Sequence, residues 1–150
     1  MPKGKPNQAQ VDLYLHLYEM RRETKLRAAR DWFVNHFQPA SLEDIQRLAP
    51  PGSDENAYMR MVASYWEMVC ALFDQGLLPE DLFFETTGEQ YLVWVRLEPV
   101  VPAFREQFGY PSMFQHLERV ARRYERWMER RAPGYVERVR PMMAAAQRAE

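Results

Sequence analysis

The thirteen residues from Met61 to Phe73 contain only two polar side chains, Ser64 and Glu67. A helix built from them is apolar nearly all round, and such a helix has to be enclosed by other elements. The signals around it predict a start at Ser53 or Asp54 and a stop at Gly76, where a left-handed C-cap needs no β-carbon. This segment is therefore the expected centre of the fold and its most buried element. The rest of the chain must supply the helices that surround it.

The flanks carry the matching patterns. A long helix is expected from Asn7, a plausible N-cap, through Val11, Leu15, Tyr18, Leu26, Ala29, Phe33 and Phe37, with Pro39 closing it. Ser41-Leu42-Glu43-Asp44 resembles a capping box and opens a short helix that Pro50-Pro51 ends. Pro79-Glu80-Asp81 opens a second short helix, ended by Thr87-Gly88. Residues 89–108 are helical by pattern, but Pro99 and Pro102 predict a kink or break near Glu98. A further helix runs from about Ser112 to Arg131 with Phe114, Leu117, Val120, Tyr124 and Trp127 on one face. Ala132-Pro133-Gly134 breaks it, and the remaining residues form a last helix interrupted at Pro141, with an Ala-rich end that frays. The fold class read from this is all-α, a helical bundle of about five to seven helices including two short ones. Residues 1–6 are a flexible arm, 7–132 the helical domain and 133–150 a C-terminal tail.

At 150 residues the chain is the size of one domain that buries about two thirds of its surface without staples. Cys70 is the sole cysteine, which excludes an internal disulfide, a CxxC pair and a multi-cysteine zinc site, and points to a reducing compartment. No apolar run approaches the ~20 residues of a membrane span, and the first seven residues lack the apolar core of a signal peptide. The expected setting is a soluble protein of the cytoplasm. A formal net charge of -1 conceals a polarised layout of +3 over residues 1–40, -8 over 41–98, 0 over 99–111 and +4 over 112–150. Basic terminal helices packed against an acidic middle account for this; a basic face that binds an external anion is the alternative.

Glu67 is the sharpest chemical feature, because a carboxylate amid Tyr65, Trp66, Met68 and Val69 must find a partner or stay protonated. Arg105 is the expected partner, since Trp94, Leu97, Val101, Arg105 and Phe108 fall along one helix face; Arg96 is the second choice. A buried ion pair fixing helix register is the favoured role, and a catalytic acid working with Tyr65 the minority one. His16, His36 and His116 have no Glu-x-x-His or HExxH context, so no metal is expected. Glycine-rich phosphate loops and a serine elbow are absent, and Cys70 lies in apolar packing. No catalytic residue and no cofactor follow from the sequence, and an enzyme is not expected.

A binding role has two candidate surfaces. Arg119, Arg122, Arg123, Arg126 and Arg130 recur three or four apart on one helix, and like charges at that spacing need an offset from the acidic segment (Asp74, Glu80, Asp81 and Glu85 included) or from an outside anion such as nucleic acid. The pI of 6.3 and the lack of a nucleic-acid-binding signature weigh against the latter. Met142 and Met143, after Pro141, are the candidate partner tail, fit for a second copy or another protein's groove.

Three stretches carry a family resemblance: Arg27-Ala28-Ala29-Arg30-Asp31-Trp32-Phe33; Tyr65-Trp66-Glu67 followed by Phe73-Asp74-Gln75-Gly76-Leu77-Leu78; and residues 91–105 with Trp94, Pro99 and Arg105. With its aromatic-aromatic-Glu triplet, Gly-Leu-Leu turn and Trp-to-Arg helix, the chain resembles an uncharacterised bacterial family of small helical proteins over about residues 10–130. Many members of that family carry an N-terminal membrane helix, and none is expected from the residues here. The resemblance implies a helical domain and brings no activity, cofactor or catalytic residue. The expected function is a non-enzymatic protein-interaction or regulatory module, with the arginine face as the alternative site and a small enzyme using Glu67 third.

Overall fold

A computed structural model describes residues 4–146. Among them are nine α-helices and no strand: α1 Gln8–Arg21, α2 Thr24–His36, α3 Leu42–Leu48, α4 Asp54–Asp74, α5 Glu80–Thr86, α6 Glu89–Leu97, α7 Val101–Gln107, α8 Gln115–Arg131 and α9 Tyr135–Ala144. The all-α class holds, and the count exceeds the five to seven expected. Residues 1–3 of the expected arm and 147–150 of the expected fraying tail lie outside the described residues.

Local chemistry explains most of the boundaries. Asn7 caps α1 in a reciprocal box with Gln10, and Ser41 and Ser53 accept from the backbone N–H groups of Asp44 and Asn56 to open α3 and α4. Gly76, at φ 78°, lets the Leu77 N–H reach the Leu72 carbonyl at 3.1 Å and ends α4. The expected single helix from Asn7 to Phe37 is instead two. The chain turns at Arg22 and Glu23, and the Glu23 carboxylate accepts from the Leu26 N–H at 2.9 Å, so an acidic side chain opens α2 where no glycine or proline marks a break. The helix after Gly88 breaks between Leu97 and Val101. In α9, Pro141 does not interrupt the helix. Both Pro141 and Glu137, whose carbonyl loses its partner, face solvent, where water replaces the missing bond.

Helix α4 packs against α2 on one side and α8 on the other, and α6 packs against α4, α8 and α9. The most buried element is α6, not α4: Gln90 to Leu97 are all buried, whereas α4 exposes Arg60, Ser64 and Met68. Its short length lets neighbours cover it on every side. A ring cluster of Phe73, Phe83, Phe84, Tyr124 and Trp127 joins α4, α5 and α8.

Arg96 lies inside this core, 2% exposed, and faces no carboxylate among the described residues. Its Nε donates to the Met143 carbonyl. Nη1 donates to Phe33 and Phe37 at 3.1 and 2.7 Å, and Nη2 to Val34 and Ala145 at 3.1 and 2.7 Å. All five donors of the fork are thus met by carbonyls near the C-terminal ends of α2 and α9, where the helix dipole is negative. Burial lowers the guanidinium pKa from its ordinary value.

Candidate binding groove

An open groove of about 770 Å³ runs between α3, the first half of α4, α7 and the turn into α8. Ile45, Met59, Met61, Phe104, Phe108 and Phe114 supply its apolar walls, and among the described residues Arg60 is its only charged lining residue. Its size falls within the range of about 300 to 1,000 Å³ found for small-molecule sites. Phe108 is 60% exposed, a large ring left in solvent at the rim.

Two residues singled out in the sequence hold the groove's wall, though not as a pair. Glu67 and Arg105 do not meet. Glu67 accepts from the backbone N–H groups of His116 at 3.1 Å and Leu117 at 2.8 Å. These are orphan donors at the start of α8, whose own N-cap, Phe114, has no side chain able to accept them. A carboxylate from α4 therefore does the capping, favoured by the positive end of the helix dipole. Arg105 donates through Nε to the Met113 carbonyl at 2.9 Å and through Nη2 to Glu118 at 2.7 Å. Arg96, the second choice for Glu67, is committed to the carbonyls of α2 and α9. Glu67 and Arg105 thus grip the same turn from two helices. That turn needs gripping, since Phe114 sits at φ 58°, a left-handed conformation that a bulky residue adopts at a cost.

Tyr65 and Glu67 point apart. The Tyr65 hydroxyl donates to the Leu17 carbonyl at 2.5 Å, and burial pushes its pKa up to about 12. Cys70 is fully buried, and desolvation raises its thiol well above its ordinary pKa. Among the described residues no group of three His, Cys, Asp or Glu side chains is placed to hold a metal ion.

The arginine side of α8 is largely met by carboxylates of the acidic segment. Arg119 pairs with Asp74 at 3.0 Å, Arg123 with Glu80, and Arg131 with Glu85 at 2.8 Å. Arg122 reaches Glu98 at 3.5 Å and Glu125 at 3.4 Å. Asp74 also binds His116 Nδ1 at 2.6 Å, and Asp81 accepts from the Trp127 indole at 2.9 Å. Only Arg126 and Arg130 of the five-residue face have no carboxylate within 4 Å among the described residues. The proposed anion face thus shrinks to two exposed side chains.

The description of one protein family, a domain of unknown function named DUF4760, matches residues 8–127. The chain belongs to the DUF4760 family. No curated protein and no solved structure matches it. The matched span of this DUF4760 protein contains every residue that lines the groove, together with Glu67 and Arg105, and it stops within α8. Helix α9 lies beyond it.

Within α9 the candidate partner tail divides. Met142 is 70% exposed, while Met143 packs partly against the core and gives its carbonyl to Arg96. Arg140 adds a second tie, to Glu98 and, at 3.1 Å, to Glu125. The expectation of a free methionine pair therefore fails, because the helix that carries it is docked on α6 and α8. No helix among the described residues is long and apolar enough to cross a membrane. The groove itself went unread in the sequence. Its available signal was Phe104, Phe108, Met113 and Phe114 crowded around the Gly109-Tyr110-Pro111 turn, more apolar residues than that short segment needs for packing.

Proposed function

We propose that this DUF4760 protein is a non-enzymatic binding module of the interaction or regulatory kind, and that the groove between α3, α4 and α7 is its working surface. The observation that carries this reading is the chemistry of the lining. The walls are mainly aliphatic, thioether and phenyl groups, with the amides of Gln46, Asn56 and Gln107 among them, and no His, Cys, Asp, Glu, Lys or Tyr of the described residues lines them. Ser64, the only lining hydroxyl among the described residues, is turned to the Met61 carbonyl at 3.3 Å, with no base of those residues in the lining. Such a surface has no proton donor and acceptor to exchange, but it removes apolar groups from water. Methionine walls also adapt to the shape of an occupant.

The uncharged dye Nile red is the direct probe. It should bind saturably at one site per chain. Phe108→Asp should abolish that binding while leaving the melting temperature unchanged, because the ring is mostly in solvent. Equal dye binding by the variant would overturn the groove as the working surface.

A further inference from the structure

We infer that the groove takes a single-chain carboxylate, an apolar tail with one anionic head, and that Arg60 holds the head. This rests on the groove being the binding surface. Arg60 stands at the mouth of the groove on the exposed side of α4, and its surroundings differ from those of most arginines on the molecule. Arg30, Arg47, Arg105, Arg119 and Arg140 each face a carboxylate. Arg60 has none within 4 Å among the described residues, and no carboxylate lines the groove to supply one.

The guanidinium is nevertheless oriented. Asn56 donates through Nδ2 to the Ala49 carbonyl at 3.0 Å, which fixes its amide, and its Oδ1 accepts from Arg60 Nε at 3.0 Å. One edge of the fork is thereby anchored. Both terminal nitrogens make no hydrogen bond among the described residues, and they form the two-pronged donor that a carboxylate accepts in parallel. Beside them lies a wall of Met59, Met61, Phe104 and Phe108, with no second charge in the lining among the described residues. A cationic head would meet repulsion at this position, and an uncharged one would leave the fork unused. The arrangement selects an apolar acid by charge at the rim and by burial beneath it.

The test compares three ten-carbon ligands, decanoate, decanol and decylammonium, each below the concentration at which it forms micelles, by calorimetry and by displacement of Nile red. Decanoate should bind one to one and about fivefold more tightly than decanol, as expected for one partly exposed charge pair. Decylammonium should bind most weakly. Arg60→Gln should bring decanoate to the decanol level and leave decanol unchanged, and Phe108→Asp should remove binding of all three. Equal binding of decanol and decanoate to the unaltered protein would overturn the carboxylate assignment while the groove stands, leaving an apolar side chain of a protein partner as its occupant. Failure of all three ligands, with Nile red unaffected by Phe108→Asp, would overturn the groove reading as well.

Discussion

Arg96 sits on α6 with all five of its donors taken by main-chain carbonyls, whereas Arg60, on the open side of α4, commits one nitrogen to Asn56 and leaves two unengaged. The first is sealed inside the core and the second stands at the mouth of a groove. A guanidinium with every donor satisfied by its own chain has nothing left to offer a ligand, and its contribution is to stability. One that is oriented but half-satisfied contributes little to the fold and keeps its capacity for something outside.

The largest effect should come from the sealed member. Arg96→Met removes five hydrogen bonds and takes the guanidinium donor away from main-chain carbonyls at two helix ends, so urea denaturation should show a loss of about 3 to 5 kcal/mol. Arg60→Met, measured alongside, should change stability by less than about 0.5 kcal/mol, as an exposed substitution does. Similar losses for both would break the contrast.

A middle case sharpens it. Glu67 serves the backbone as Arg96 does, but at a half-buried position, and Glu67→Leu should cost about 1 to 2 kcal/mol through the uncapped start of α8. Hydrogen exchange at the His116 and Leu117 amides should quicken with it. Unchanged exchange there would mean that the carboxylate does not cap α8.

The smallest effect belongs to a half-buried carboxylate on α3, beside the groove. The Ala40 N–H, and after it Arg47, hold the Asp44 carboxyl below its ordinary pKa. A depressed folded-state pKa contributes stability above the unfolded-state value and loses it as pH falls through the folded one. Between about pH 5 and pH 3, stability should therefore fall slightly more steeply in the unaltered protein than in Asp44→Asn. Identical slopes would show that Asp44 is as idle in folding as Arg60.

The same contrast explains what the sequence disclosed and what it withheld. Helix α4, the two short helices and the start of α1 were legible because their signals are local: Ser53 and Ser41 at caps, Gly76 at a left-handed stop, Pro50-Pro51 after a short run. The division of α1 from α2 was not, because a glutamate that caps a helix resembles a glutamate on a helix surface. Glu67 was legible as a residue that needs a partner, but its partners are backbone N–H groups, which every residue except proline carries and no letter distinguishes. Arg96 escaped for the same reason in reverse, with carbonyls in place of amides. The groove was the least legible feature. It is set by which helices fail to meet, and no local pattern records that.

The socket of Arg96 also orders events in time. Two of its acceptors, Met143 and Ala145, follow it by 47 and 49 residues, while the other three, at the end of α2 and its C-cap, precede it. On a ribosome, α6 emerges with the earlier half of the socket already made and the later half not yet synthesised. Until α9 arrives, the guanidinium must keep company with water, and the most buried helix of the molecule cannot close around it. The core of this protein is therefore completed only when α9 docks, and that helix acts as the latch on a centre laid down long before.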